Sequence, residues 1–380
     1  MRPTRAPTGV MPEASPTRLP PLRDSVRAAL PAWLLARVLV FGALAVVVWL
    51  HEGLPRTGAV PGAHGLQVWD AAWYRVIAED GYAPHGAAAV RFFPLLPLAG
   101  GALAWLTQAP VAAVLLILSW GFGLAFGATL HRLLLAETGD AAAARRAAWL
   151  SQLVPGANVL VLGYTEALAG FLAVAYFLVL RTRRRLAAGI PLGLLSGLVR
   201  PTGLLLALPA AVELWRPARH RDRPVGRLLV VAAAPLGTAG YLAWCWWTYR
   251  DPLLPYRVHT AADLRGGVVD VRWEFLIDTS PAGYPWPLVL ALLVTGGVLL
   301  WQCARRLPAA YTVWSACGFA AAVTAYGFHS LPRYLAGLFP LLMVAALACR
   351  RRWAWYGVLA CCLPLFGWVA YLNFTPHVVP

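Results

Sequence analysis

The chain has 380 residues, of which 60% are hydrophobic and only 13% charged, with 18 Trp and a mean hydropathy of +0.63. These values exclude an ordinary water-soluble domain and place the chain in the polytopic membrane class. A net charge of +16 raises nucleic acid as a partner, but a nucleic-acid binder gathers its basic residues on one solvated face. Here they fall in short runs between apolar segments and read as topology signals, so no nucleic-acid partner is expected.

All basic residues other than His are Arg and no Lys occurs, a bias that fits a GC-rich, bacterial genome. The six cysteines (Cys245, Cys303, Cys317, Cys349, Cys361 and Cys362) sit in or beside apolar runs without metal-ligand spacing, and no disulfide framework is expected. The first 28 residues carry Arg and Pro but no apolar signal-peptide core. They read as a disordered basic tail ahead of a retained span.

Apolar runs long enough to cross a bilayer, about 20 residues each, begin at 31–50 and recur near 111–131, 145–163, 165–181, 228–248, 284–302, 308–326, 335–349 and 353–372. Between 186 and 215 a longer run is interrupted by Arg200-Pro201-Thr202-Gly203 and predicts two short helices meeting at a polar break. Together these give about eleven crossings. The run 92–107 is ambiguous, because Pro94 and Pro97 break it early and Gly100-Gly101 weaken it.

Charge favours leaving 92–107 in the interface. The Arg groups at 2–27, 132–146, 181–185, 216–227, 305–306 and 350–352 then all face the cytoplasm, as the positive-inside rule asks. The N-terminus is cytoplasmic and the C-terminus outside in this arrangement. The outer face receives loops at about 51–110 and 249–283, with tips at 164–166, Arg200 and 329–334. No internal repeat and neither nucleotide-phosphate loop pattern is found.

The stretch Trp69 to Tyr82, WDAAWYRVIAEDGY, sets acids and aromatics on a short helix just outside the first span. Its apolar positions Trp73, Val76 and Ile77 share a face expected to lie against lipid. Arg75 and Glu79 stand one turn apart as an ion pair, and Gly81 stops the helix. Asp70 reads either as an N-cap or as a catalytic carboxylate, and the two roles are compatible.

Glu166, in GYTEALAG, falls at the outer end of two spans, where an ionisable group is costly unless hydrated or paired. Arg200 interrupts an apolar stretch and should face a polar cavity or an anion, since an Arg at the bilayer centre costs about 2.5–3.5 kcal/mol on insertion scales. Pro201 and Gly203 free backbone N–H groups beside it. Arg333, with His329 and Tyr334, is a second outer-face cation whose simpler reading is snorkelling to headgroups. The long loop adds Asp251, Tyr256, His259, Asp263, Asp270, Arg272, Trp273, Glu274 and Asp278 as individually weak candidates, and Trp244, Trp246, Trp247 and Tyr249 read as an interfacial belt.

Five pieces, in order, carry a family resemblance: WDAAWYRVIAEDGY, RFFPLLPL (91–98), GYTEALAGF (163–171), GLVRPTGLLLALP (197–209) and HSLPRYLAGLFPLL (329–342). Through them the chain resembles the PIG-V-type mannosyltransferases of the GT-C superfamily. It departs from the family pattern at Pro84-His85-Gly86, where an acid is usual and His85 stands instead.

The resemblance implies an all-α GT-C-type bundle of about eleven transmembrane helices with juxtamembrane helices in the first outer loop, residues 29–380 forming one transmembrane glycosyltransferase domain in the cell membrane. Such an enzyme takes mannose from a polyprenyl-phosphate carrier at the outer face and transfers it with inversion to an acceptor hydroxyl of a glycolipid, lipoglycan or protein. Asp70 matches the motif acid and would be the general base. Arg200 and Arg333 would hold the departing phosphate, and Glu166 would orient hydroxyls or help to hold a divalent cation. Trp69, Glu79, Asp80, Tyr82, His85, Tyr164, His329 and Tyr334 complete the expected substrate-binding set. No dedicated metal cage is seen. A transporter or lipid flippase is the competing class, and a non-catalytic binding protein the third; transporters often show internal repeats and ionisable groups at the midplane of several spans.

Overall fold

The structure, a computed structural model, describes residues 19–54, 57, 60, 62–183, 185–215, 224–260, 284–324, 328 and 330–375, with the backbone alone at 259 and 260. Among these residues the fold is all-helical. In chain order the helices are α1 (Leu22–Leu50), α2 (Asp70–Asp80), α3 (Gly86–Val90), α4 (Leu95–Thr107), α5 (Val111–Thr138), α6 (Ala141–Leu153), α7 (Glu166–Thr182), α8 (Gly189–Val199), α9 (Ala207–Trp215), α10 (Pro224–Tyr249), α11 (Leu254–Thr260), α12 (Trp286–Arg306), α13 (Ala309–Val323), α14 (Leu331–Gly337), α15 (Phe339–Ala348) and α16 (Arg352–Asn373).

Five of them, α1, α5, α10, α12 and α16, are long and apolar enough to cross a membrane, and α14 with α15 makes a sixth if that pair, bent by 75°, is one span. The expected eleven single crossings are not seen as such. The run 145–163 is interrupted: α6 ends at Leu153, and Pro155-Gly156 open a 3-10 segment, Pro155–Leu160. The run 335–349 is broken at Leu338, with Pro340 at the start of α15. α13, at 15 residues, falls short of the roughly 20 needed to span alone, as does α4, at 13 residues, in the run that the charge pattern leaves in the interface. α1 starts at Leu22, inside the stretch read as a tail, because a helix continues past the end of its apolar run; Asp24 supports its first turn.

Local chemistry explains the tight connections. Between α5 and α6, Gly139 takes φ +69° as the left-handed cap, and Asp140 accepts hydrogen bonds from Ala142 N and Ala143 N at 2.9 Å. The 3-10 segment after α6 lies against the first turn of α14. A Cβ on Gly156 would collide with the Pro332 carbonyl, so only glycine allows this approach. That contact helps to set where Arg333, the next residue, points.

α7 runs through the interior and carries a buried charge cluster at each end. At its C-terminal end Arg181 Nε and Nη2 grip Glu137 at 2.6 and 3.1 Å, and Nη1 meets Glu213 at 2.7 Å. Tyr311 Oη donates to Glu137 at 2.8 Å. The group joins α5, α7, α9 and α13. Removing one partner of a buried pair strands the others, at about 3–5 kcal/mol. Arg181→Leu is therefore expected to lower the thermal midpoint of the detergent-solubilised protein by that equivalent, and an unchanged midpoint would contradict the role of this clamp.

Candidate active site

At the opposite end of α7, roughly 22 Å along its axis from Arg181 at 1.5 Å per residue, four charged side chains meet. Asp70 is the first residue of α2, with Trp69 before it. Trp69 holds φ +53°, ψ −119°, a strained conformation for a non-glycine residue that persists only where its surroundings impose it. They do: Trp69 Nε1 donates to the Asn373 carbonyl of α16 at 3.0 Å, and the Asp70 N–H donates to Tyr164 Oη at 3.3 Å. The Asp70 carboxylate is thereby aimed across the bundle, where Arg333 Nη1 donates to its Oδ2 at 2.7 Å.

Arg333 also turns its Nε to Glu166 Oε1 at 3.5 Å, and Arg200 Nη1 pairs with the same oxygen at 3.0 Å. Arg200 is the extended residue, φ −153° and ψ 153°, between α8 and the 3-10 segment Pro201–Leu206. Glu166 and Arg333 are 6% and 5% exposed, so these charges are held by one another and not by water. The Tyr334 ring lies 5.3 Å from the Arg200 guanidinium and 5.7 Å from that of Arg333, and the Tyr164 ring 5.5 Å from Arg333. The order along the cluster is Asp70, Arg333, Glu166, Arg200.

A cavity of about 270 Å³ opens beside this chain of charges, with Asp70, Tyr74, Arg91, Arg200, Tyr256 and Arg333 in its walls. A smaller one of about 70 Å³ shares Arg200 and Arg333 and continues past Glu166 along Ala169, Gly170 and Leu206. The two cavities share the walls formed by Arg200 and Arg333, and the smaller is the more apolar. Such a shape suits a ligand with an anionic head and a hydrocarbon tail.

Tyr74, one turn after Asp70, shares a 3.2 Å hydrogen bond with Thr165 Oγ1. Burial, and then the neighbouring Asp70 carboxylate, push its phenol well above the ordinary tyrosine range. It stays a neutral hydroxyl at any working pH.

The structure brings Asp70, Tyr164, Glu166, Arg200, Arg333 and Tyr334 together. It places the other expected residues elsewhere. Glu79 pairs with Arg75 at 3.0 Å and Asp80 with His85 at 3.3 Å. Both pairs stand at the far end of α2, roughly 14 Å from Asp70 by helix rise. Tyr82 packs among Tyr241 and Trp244 and donates to the Phe92 carbonyl at 2.7 Å. Trp69 anchors the backbone through Asn373. His329 lies outside the described residues, as do Asp263, Asp270, Arg272, Trp273, Glu274 and Asp278.

The α2 face expected against lipid is covered by protein instead: Val76 and Ile77 are 6% and 1% exposed, and Trp73 stacks on Phe92 at 5.4 Å. α4 packs there, so the face that looked lipid-directed buries within the fold. Tyr74 and Arg91 in the cavity wall, and Thr165 bonded to Tyr74, are residues to which the sequence motifs give no role. Tyr74 was within reach, since i and i+4 share a helix face. Among the described residues no three of His, Cys, Asp and Glu converge as a metal-binding set.

No family model and no curated protein matches the chain. Among solved structures it is similar to the oligosaccharyltransferase of Archaeoglobus fulgidus. In the apo form the identity is 15% over 93% of this chain and 56% of that one, with a TM-score of 0.49. The form tethered with an acceptor peptide gives 16% identity, 91% and 56% coverage and a TM-score of 0.45. The complex with an inhibitory peptide and a dolichol-phosphate gives 15% identity, the same coverage and 0.45. The chain spans little more than half the length of these structures.

Proposed function

We propose that the chain is an integral-membrane, inverting glycosyltransferase of the GT-C type that moves a sugar from a polyprenyl-phosphate carrier to an acceptor hydroxyl. Mannose is the sugar favoured by the motif resemblance. The observation that carries the reading is the Asp70 carboxylate facing one cavity together with Arg200 and Arg333, with an apolar slot continuing from the same two cations.

The acceptor oxygen attacks the anomeric carbon and forms the new C–O bond, while its proton passes to Asp70. The bond between the anomeric carbon and the phosphate oxygen breaks, and the carrier leaves with the electron pair as an anion. Arg200 and Arg333 hold that anion by charge alone, so no protonated acid is needed on the leaving side. Arg333 contacts both Asp70 and Glu166, and Arg200 contacts Glu166. A donor phosphate that shares Arg333 frees Asp70 to act as base.

Charge placement supports an outward-facing site. Ser25 of α1 hydrogen-bonds His131 of α5 at 3.0 Å, and the Arg181 group gathers the ends of α5, α7, α9 and α13. The Arg-rich runs at 2–27, 132–146, 181–185, 216–227 and 305–306 adjoin these ends. By the positive-inside rule they mark the cytoplasmic side. The Asp70 cluster lies at the other end of α7, towards the outer leaflet. The N-terminus is then cytoplasmic, and the acceptor is a glycolipid, lipoglycan or protein reached from outside.

Arg200→Ala tests the donor side. Loss of one charge-assisted contact, about 1.5–3 kcal/mol, is expected to raise the donor KM by roughly 10- to 100-fold with the acceptor KM unchanged. Labelled polyprenyl-phosphate-mannose assayed across a range of concentrations gives both constants. An unaltered donor KM would remove Arg200 from phosphate binding, and a donor panel with other sugars tests the preference for mannose.

A further inference from the structure

Five residues stand in the walls of both cavities: Arg200, Thr202, Ala321, Arg333 and Tyr334. A group seated on this shared wall meets two guanidinium side chains and one aliphatic hydroxyl, that of Thr202.

The local backbone explains why that hydroxyl is not used up within the fold. A threonine inside a helix commonly closes its hydroxyl on the carbonyl four residues back, as Thr107, Thr138, Thr182 and Thr324 do here at 2.7 or 2.8 Å. Thr202 instead follows the extended residue Arg200, φ −153° and ψ 153°, which breaks the helix and takes the Leu198 carbonyl out of that register. Among the described residues the Thr202 hydroxyl makes no hydrogen bond. The residue is half-buried, and its Oγ1 is not sealed from solvent.

Its place is nonetheless fixed. Gly203 N–H donates to the Arg200 carbonyl at 2.9 Å, and a Cβ on Gly203 would collide with the Ser196 carbonyl, so the 3-10 segment folds directly back on the end of α8. That helix is tied to α10, where Thr238 Oγ1 donates to the Gly197 carbonyl at 3.1 Å. One fold of the backbone therefore sets Arg200 and Thr202 together.

We propose that the Thr202 hydroxyl donates a hydrogen bond to a phosphoryl oxygen of the lipid-linked donor, on the wall it shares with Arg200 and Arg333. This deepens the transferase reading and rests on it. A phosphoryl oxygen only accepts, and a bond from a hydroxyl to an anion is charge-assisted. The two arginines come to that anion from Glu166 and Asp70, whereas the hydroxyl of Thr202 adds a donor without drawing on either carboxylate.

The test uses the purified full chain in detergent with farnesyl phosphate as probe and farnesol as the uncharged control. Wild type is expected to bind farnesyl phosphate more tightly than farnesol. Thr202→Val keeps the shape and the branched Cβ but has no O–H; it is expected to weaken farnesyl phosphate binding by about 10- to 100-fold, with farnesol binding and the thermal midpoint near wild type. Thr202→Ser restores the donor and should recover most of the affinity. In turnover with labelled polyprenyl-phosphate-mannose, Thr202→Val should raise the donor KM and leave the acceptor KM unchanged.

Equal binding of farnesyl phosphate by wild type and Thr202→Val overturns the assignment, as does an equal loss of farnesol binding, which would make the residue a packing element. A raised acceptor KM with unaltered probe binding would place the hydroxyl on the acceptor and overturn it too. Wild-type binding of farnesyl phosphate no tighter than that of farnesol is a different failure, since it contradicts the phosphate site of Arg200 and Arg333 and the transferase reading with it.

Discussion

Asp70→Asn is expected to reduce sugar transfer by about 10²- to 10⁴-fold, the usual contribution of a positioned general base, while expression and melting behaviour stay close to wild type. The substitution keeps shape and leaves the Arg333 side chain an amide oxygen to bond. It removes the one carboxylate presented beside the cavity from the start of α2. Because the Asp70 N–H is fixed by Tyr164 and the preceding Trp69 by Asn373, the backbone has little reason to move. Binding of the donor should persist, so the loss should fall on kcat. Near-normal turnover would take the base role away from Asp70.

Arg333 is the second site of large effect, for a different reason. It bridges Asp70 at 2.7 Å and Glu166 at 3.5 Å, and Arg333→Ala leaves both carboxylates facing a cavity with one cation fewer. Stranding buried charge typically destabilises by about 3–5 kcal/mol, so the variant should melt well below wild type and lose transfer as well. Arg333→Lys separates the two consequences. One ammonium restores charge and part of the stability, but it cannot serve both carboxylates and a phosphate with fixed forks, so transfer should stay low. Combining Arg333→Ala with Asp70→Asn should lose less stability than the sum of the two, since they share one interaction. Additive losses, or an Arg333→Ala protein with the wild-type melting point, would contradict the bridge.

Part of this site could be read in the residues before any coordinates. The helix opened by Asp70 and closed by Gly81, the ion pair of Arg75 with Glu79, and the break at Arg200 follow from local rules that need no partner. The pairing of Asp70 with Arg333 does not, because the two lie 263 residues apart and no spacing joins them. Nor does the hold on the backbone at Val90, whose carbonyl accepts from Tyr241, 151 residues away.

Apolarity marks 145–163 and 335–349 as buried, in lipid or in protein, without showing that their helices are interrupted. The breaks were nevertheless signalled, by Pro155-Gly156 in one and Pro340 in the other. The apolar face of α2 fails for the same reason. Val76 and Ile77 announce a hydrophobic neighbour, and that neighbour is protein within the fold. Glu79 and Asp80 belong to the same motif as Asp70, yet helix rise sets them, with His85 beside Asp80, at the other end of α2.

The most direct measurement follows both products at once. Purified protein is incubated with labelled polyprenyl-phosphate-mannose and a membrane lipid extract, and the sugar-bearing product and the released polyprenyl phosphate are quantified by mass. Wild type is expected to yield the two in equal amounts with the anomeric configuration inverted, and Asp70→Asn to yield both about 10²- to 10⁴-fold more slowly. An intact donor with no labelled acceptor, under conditions where the protein stays folded, would contradict glycosyl transfer by this chain.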